Sequence, residues 1–115
     1  MNALMRQSVQ FNSAEYADNR ISLFSAQWGK CAITGEEFQE TKDIHCHHII
    51  PKVMGGTDAY GNLILICTPA HRLIHAVQNK TIDFYMTILN LDAKQLTKLN
   101  ELRYKAGNSP ISNEK

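Results

Sequence analysis

Two stretches decide the fold: residues 45–51, His-Cys-His-His-Ile-Ile-Pro, and residues 62–75, Asn-Leu-Ile-Leu-Ile-Cys-Thr-Pro-Ala-His-Arg-Leu-Ile-His. The first predicts a strand through residues 44–50 that stops at Pro51, which fixes its own φ and offers no N–H to a ladder. Met54-Gly55-Gly56-Thr57-Asp58 then reads as a glycine-centred loop. Asn62 to Cys67 is a short apolar run rich in branched side chains, a buried strand by length. Pro69 suits the first turn of a helix, expected over residues 70–79. The unit is strand, loop, strand, helix.

Outward from it, residues 13–28 predict a helix with Ser13 as N-cap and an apolar stripe of Tyr16, Leu23, Phe24 and Trp28. Gly29 would end that helix in the left-handed conformation. Residues 31–35 read as a tight knuckle and residues 36–43 as an acidic, polar surface loop. Two helices follow, over residues 81–90 and 92–106. In the second, Asp92 is the N-cap, Gln95 stands three residues on, and Gly107 is the stop. Leu96, Leu99, Leu102 and Tyr104 supply its apolar side. Residues 1–12 are expected to form a loose leader and residues 108–115 a disordered tail.

The 115 residues fit one domain, with 43% hydrophobic and 20% charged residues, as in ordinary globular proteins. No apolar run approaches the roughly 18 residues that span a bilayer. The N-terminal residues lack the apolar stretch of a signal peptide, so a cytoplasmic setting and no membrane partner are expected. Twelve basic residues against eleven acidic ones exclude a strongly basic coat for nucleic acid, though not a local patch. Three cysteines cannot complete a disulfide framework.

The five histidines, His45, His47, His48, His71 and His75, fall within about a quarter of the chain. Such clustering points to metal, acid–base chemistry or both. His47 and His48 are neighbours on an extended segment, so their side chains point to opposite faces. His71 and His75 are four apart on the helix and share a face, as paired histidine ligands do. If the strands pack across that helix, one of His47 and His48 completes a three-histidine site, and the other is left beside it to move a proton. Three neutral ligands leave a cation with open positions, and a side-chain amide such as Asn62 can hold the loop in place.

His47-His48-Ile49-Ile50-Pro51, Gly55-Gly56, Asn62-Leu63, Cys67, His71 and His75 together resemble the HNH endonuclease motif over residues 46–75. The resemblance implies an α+β fold. Its core is a ββα-metal finger, a two-stranded antiparallel sheet plus a helix, flanked here by an N-terminal helix and two C-terminal helices. It implies a single HNH nuclease domain over residues 1–115 that hydrolyses DNA phosphodiester bonds, by nicking. By position, His48 matches the general base and Asn62 the central asparagine. His47, His71 and His75 match the metal ligands, the last as in bacteriocin DNases. The cofactor implied is one divalent ion: Mg²⁺, Mn²⁺, Zn²⁺ or Ni²⁺.

Residues 16–35, 45–75 and 89–111 further resemble the C-terminal region of group II intron reverse transcriptase/maturases. That resemblance makes RNA or a reverse transcriptase/maturase an alternative partner, and a non-catalytic nucleic-acid-binding accessory module the rival function. A second rival is a metal-stabilised module that binds a protein through the helices after residue 80. One departure from the HNH pattern stands out. Where many such proteins carry two CxxC pairs, this chain reads Cys31-Ala32-Ile33-Thr34 and Cys67-Thr68-Pro69-Ala70, so no four-cysteine zinc site is expected. Cys31 and Cys67 are expected to pack as small buried groups, with a disulfide as the alternative in an oxidising preparation, and Cys46 to be a small buried residue. Lys52 and Arg72, with Lys80, are candidates for phosphate contact, each with a solvated surface charge as the alternative. His45 is expected to face solvent or support a ligand.

Overall fold

The computed structural model describes residues 14–112, so the expected leader over residues 1–12 and the Ser13 cap lie outside the described residues. The elements in order are α1 (Ala14–Ala26), β1 (Ile44–His48), β2 (Leu63–Cys67), α2 (Thr68–His75), α3 (Asn79–Leu89) and α4 (Ala93–Lys105). Short 3₁₀ turns occupy Thr41–Asp43, Lys52–Met54 and Tyr60–Asn62. The α+β architecture expected from sequence is present: one antiparallel hairpin, one helix ahead of it and three behind.

The hairpin pairs Ile44 with Cys67, Cys46 with Leu65 and His48 with Leu63. Alternation along the strands gives it two faces. Leu63 and Leu65 turn toward Leu23 of α1, with Ile44, Cys46 and Tyr16 packed around them. Ile66 turns the other way, into a larger core with Ala70, Leu73, Ile74, Leu96, Leu99 and Leu102. The outer edge of β2 is covered rather than bare. The Gln27 side chain exchanges hydrogen bonds with the Leu65 N–H and C=O at 3.0 and 2.9 Å, and the Ala32 N–H also reaches the Leu65 carbonyl. This removes the pairing template that an open strand edge presents.

Several boundaries differ from the sequence reading. β1 ends at His48, and Ile49 and Ile50 form a bend. Asn62 closes a 3₁₀ turn instead of opening β2. The helix expected over residues 70–79 starts at Thr68 and stops at His75 because Ala76 is extended (φ −72°, ψ 137°). The buried Arg103 guanidinium donates to the carbonyls of Leu73 (2.6 Å) and Ala76 (2.8 Å), and Asn108 donates to that of Ile74 (2.8 Å). These bonds take up carbonyls that a helix end leaves without partners, and they put a cation where the helix dipole favours one.

On α4 the Asp92–Gln95 capping box is formed as expected, but Tyr104 is 77% exposed and Arg103 takes the buried position. Phe24 and Trp28, expected in the apolar stripe of α1, are also exposed; the chain enters the left-handed region at Trp28 (φ 58°), one residue before Gly29. The tail expected to be disordered is tied down as far as Ile111. Asn100 exchanges hydrogen bonds with the Ile111 backbone at 2.7 and 3.0 Å, and Arg103 Nε donates to Ser109 O at 2.7 Å.

Candidate metal centre and catalytic face

On the α2 face of the hairpin, His47 meets His71 and His75. Ring centroids lie 5.4 Å apart for His47–His71 and His47–His75, and 4.8 Å apart for His71–His75. One ring nitrogen from each of the three falls within 4.8 Å of the others. His47 is 3% exposed, and its Nε2 is buried without a hydrogen-bond partner. A buried polar atom normally finds a partner, and leaving one orphaned costs about 1–3 kcal/mol. A cation shared with His71 and His75 would satisfy it.

Burial of His47 and His71 favours their neutral form, while His75 stands at the exposed rim of the group. His47 is pushed down to about 4 by burial, reinforced by the neighbouring His71 and His75. His71 is likewise pushed down to about 4, by burial first and then by His75 and His45. His75 is lowered by burial and by Arg103. Neutral imidazole donors at this mutual distance fit a divalent transition ion. His45 supports the group from behind. It stacks on His71 with ring centroids 4.9 Å apart, and its Nε2 lies 2.9 Å from Thr68 Oγ1. A ring supported in this way orients its neighbour.

His48 points to the opposite face, as the strand alternation requires. Its ring lies parallel to that of Tyr16, centroids 5.7 Å apart, and its Nε2 lies 2.8 Å from Asp58 Oδ1. An ionised carboxylate only accepts, so Nε2 carries a proton, and in the neutral ring the lone pair lies on Nδ1. Asp58 is fixed in turn. Lys52 Nζ lies 3.2 Å from its carboxylate, and Asn19 of α1 donates to its carbonyl at 2.9 Å.

Asn62 sits beneath the loop. Its Oδ1 accepts from the Ile50 N–H at 2.8 Å, while its Nδ2 donates to the carbonyls of Ile50 (3.1 Å) and Thr57 (2.8 Å). One side chain therefore ties together both ends of the loop that follows His48. Gly56 makes this closure feasible: a Cβ there would collide with the Ile50 carbonyl and press on Asn62 Nδ2.

Of the basic candidates, Lys52 is engaged with Asp58 and half exposed, and Arg72 is exposed on α2 next to His71. Lys80 is exposed on α3. Cys31 is buried, while Cys46 and Cys67 are only partly so, and all three are free thiols. The part that Asp58 and Tyr16 play as partners of His48 is not visible in the sequence. An aspartate two residues past a double glycine reads as an ordinary turn residue, and only the folded loop shows where its carboxylate goes.

Comparisons with curated proteins and with solved structures gave no match. Residues 30–76, which hold both strands, α2 and all five histidines, match the family model described as HNH endonuclease.

Proposed function

We propose that the chain is a metal-dependent HNH endonuclease that hydrolyses DNA phosphodiester bonds, one strand at a time. The observation that carries this reading is the pairing of two histidine environments across one hairpin. Three neutral imidazoles converge around an unpartnered buried nitrogen on one face. A carboxylate-held imidazole with its Nδ1 lone pair available sits at the strand end on the other.

In this reading His47, His71 and His75 hold one divalent ion, of which Mg²⁺, Mn²⁺, Zn²⁺ and Ni²⁺ are the candidates. The ion, when bound, supplies stabilisation of charge on the scissile phosphate and the leaving oxygen. His48 Nδ1 takes the proton of the attacking water. As it does, the Nε2–H bond to the Asp58 carboxylate becomes an ion pair, which stabilises the imidazolium and keeps the ring in register. Asn62 positions the loop carrying Asp58, and so acts through His48. Arg72, exposed beside His71, is placed to meet a neighbouring phosphate.

One site of this kind makes one cut, so nicking is the expected product. The narrower resemblance to group II intron maturases rests on residues 16–35, 45–75 and 89–111 of the sequence alone, which extend beyond the matched region onto α1 and α4. It supports RNA or a reverse transcriptase as a further partner, and with it the accessory-module reading. The deciding experiment is nicking of supercoiled plasmid by metal-stripped protein, with each candidate ion restored singly. The nuclease reading requires metal-dependent open circle. Folded, metal-loaded protein that binds DNA yet cleaves with none of the ions refutes it and favours the accessory module.

A further inference from the structure

Cys67 ends β2, Cys31 lies in the knuckle that covers that strand's outer edge, and neither plays a part in the chemistry above. The Cys31 sulfur accepts three backbone N–H groups, from Cys67 (3.3 Å), Ile33 (3.4 Å) and Thr34 (3.5 Å). Because one of these donors is the amide of Cys67 itself, the two residues are in register. A cavity of about 260 Å³ opens beside the pair, lined by both cysteines together with Thr34, Glu36, Phe38 and Thr68. Cys46, by contrast, belongs to the α1 face of the hairpin.

A sulfur that receives several N–H groups is stabilised as thiolate, and the thiolate is the nucleophile. The Cys67 thiol, opposed by burial but aided by the backbone at Thr34, holds the Cys31 thiol down to about 5. The Cys31 partner, and then burial, push the Cys67 thiol up. A sulfur ringed by N–H donors, a second thiol on the residue whose amide it accepts and a cavity lined by both cysteines are the three parts of a two-step dithiol oxidation.

We propose that Cys31 and Cys67 form a peroxide-reactive dithiol that closes reversibly to an intramolecular disulfide. The Cys31 thiolate attacks one oxygen of a hydroperoxide. An S–O bond forms, the O–O bond breaks, and the other oxygen leaves as water or alcohol after taking a proton, giving the sulfenic acid. Cys67 then loses its proton and attacks that sulfur. The S–S bond forms, the S–O bond breaks and a second water leaves, so the two sulfurs together supply the two electrons that reduce the peroxide. A dithiol reductant reverses the change. The product ties the knuckle after α1 to the residue from which α2 starts, the helix carrying His71 and His75.

The test is to treat the reduced full chain with one equivalent of hydrogen peroxide, then measure intact mass and map peptides without reduction. The expected result is a mass lower by two hydrogens, a Cys31–Cys67 bridge, one free thiol left of the three, and full return with dithiothreitol. The Cys46→Ser variant should form the same bridge to the same extent. Unchanged thiols, a bridge that includes Cys46, disulfide-linked dimers, or sulfinic acid at Cys31 without a bridge would each overturn the proposal. The mapping is done on the unaltered sequence, so its outcome does not depend on whether Cys31→Ser or Cys67→Ser folds.

Discussion

The two faces of the β1–β2 hairpin treat their histidines in opposite ways. On the α2 face, His47 is buried with an unpartnered Nε2 among two further neutral imidazoles. On the α1 face, His48 is held by the Asp58 carboxylate and stacked on Tyr16. A ligand nitrogen must be left without a hydrogen-bond partner so that a cation can take it. A base needs a partner on its other nitrogen, to fix the tautomer and carry the charge that develops. Adjacent positions on one strand meet both needs because successive side chains leave on opposite sides.

The helix end that aims His71 and His75 depends on Arg103. Arg103→Met should cost about 2–4 kcal/mol, since it strands the Leu73 and Ala76 carbonyls in a buried place. Urea unfolding of the metal-free protein measures this, and a cost below about 0.5 kcal/mol would show that water caps α2 equally well. On the catalytic face, Asp58→Asn should lower the nicking rate about tenfold to a hundredfold while leaving metal affinity unchanged. Equal losses of both would mean that Asp58 serves the metal face, and the division between faces would fail.

On the α2 face, His47→Leu removes an orphaned polar atom together with a proposed metal ligand. The metal-free variant should be at least as stable as the natural sequence, while the rise in Tm on adding Zn²⁺ or Ni²⁺ should vanish. Retention of that rise would place the ion elsewhere. A separate effect is on pH dependence. His47 and His71 titrate near 4 in the fold but near 6.5 in the unfolded chain. Between those values the unfolded state binds protons that the folded state does not, so stability of the metal-free protein falls as pH drops from about 6.5 to 4. Urea midpoints that stay flat across that window would mean that water reaches these imidazoles in solution.

The hairpin and the convergence of His47, His71 and His75 on one of its faces were legible in the sequence because they rest on short-range rules. Alternation separates His47 from His48, helical spacing joins His71 to His75, and Asp92 with Gln95 announces α4. What was not legible depends on contacts between distant segments. α2 stops at His75 because of a side chain nearly thirty residues later, and the tail is ordered through Asn100, Arg103 and Asn108. Arg103 reads as one more surface charge on a helix until its place under α2 is seen. Asp58 reads as a turn residue for the same reason: its role arises only when Asn62 and Gly56 close the loop onto His48.

The central claim is that one hairpin separates metal holding from proton transfer, and it is tested most directly on His48→Ala. Metal affinity, by calorimetric titration of the stripped protein, and plasmid nicking should be measured on the same preparation. The account predicts metal affinity within about twofold of the natural sequence and a nicking rate reduced about 10²–10⁴-fold. A variant that binds metal normally and still nicks at the original rate would contradict it.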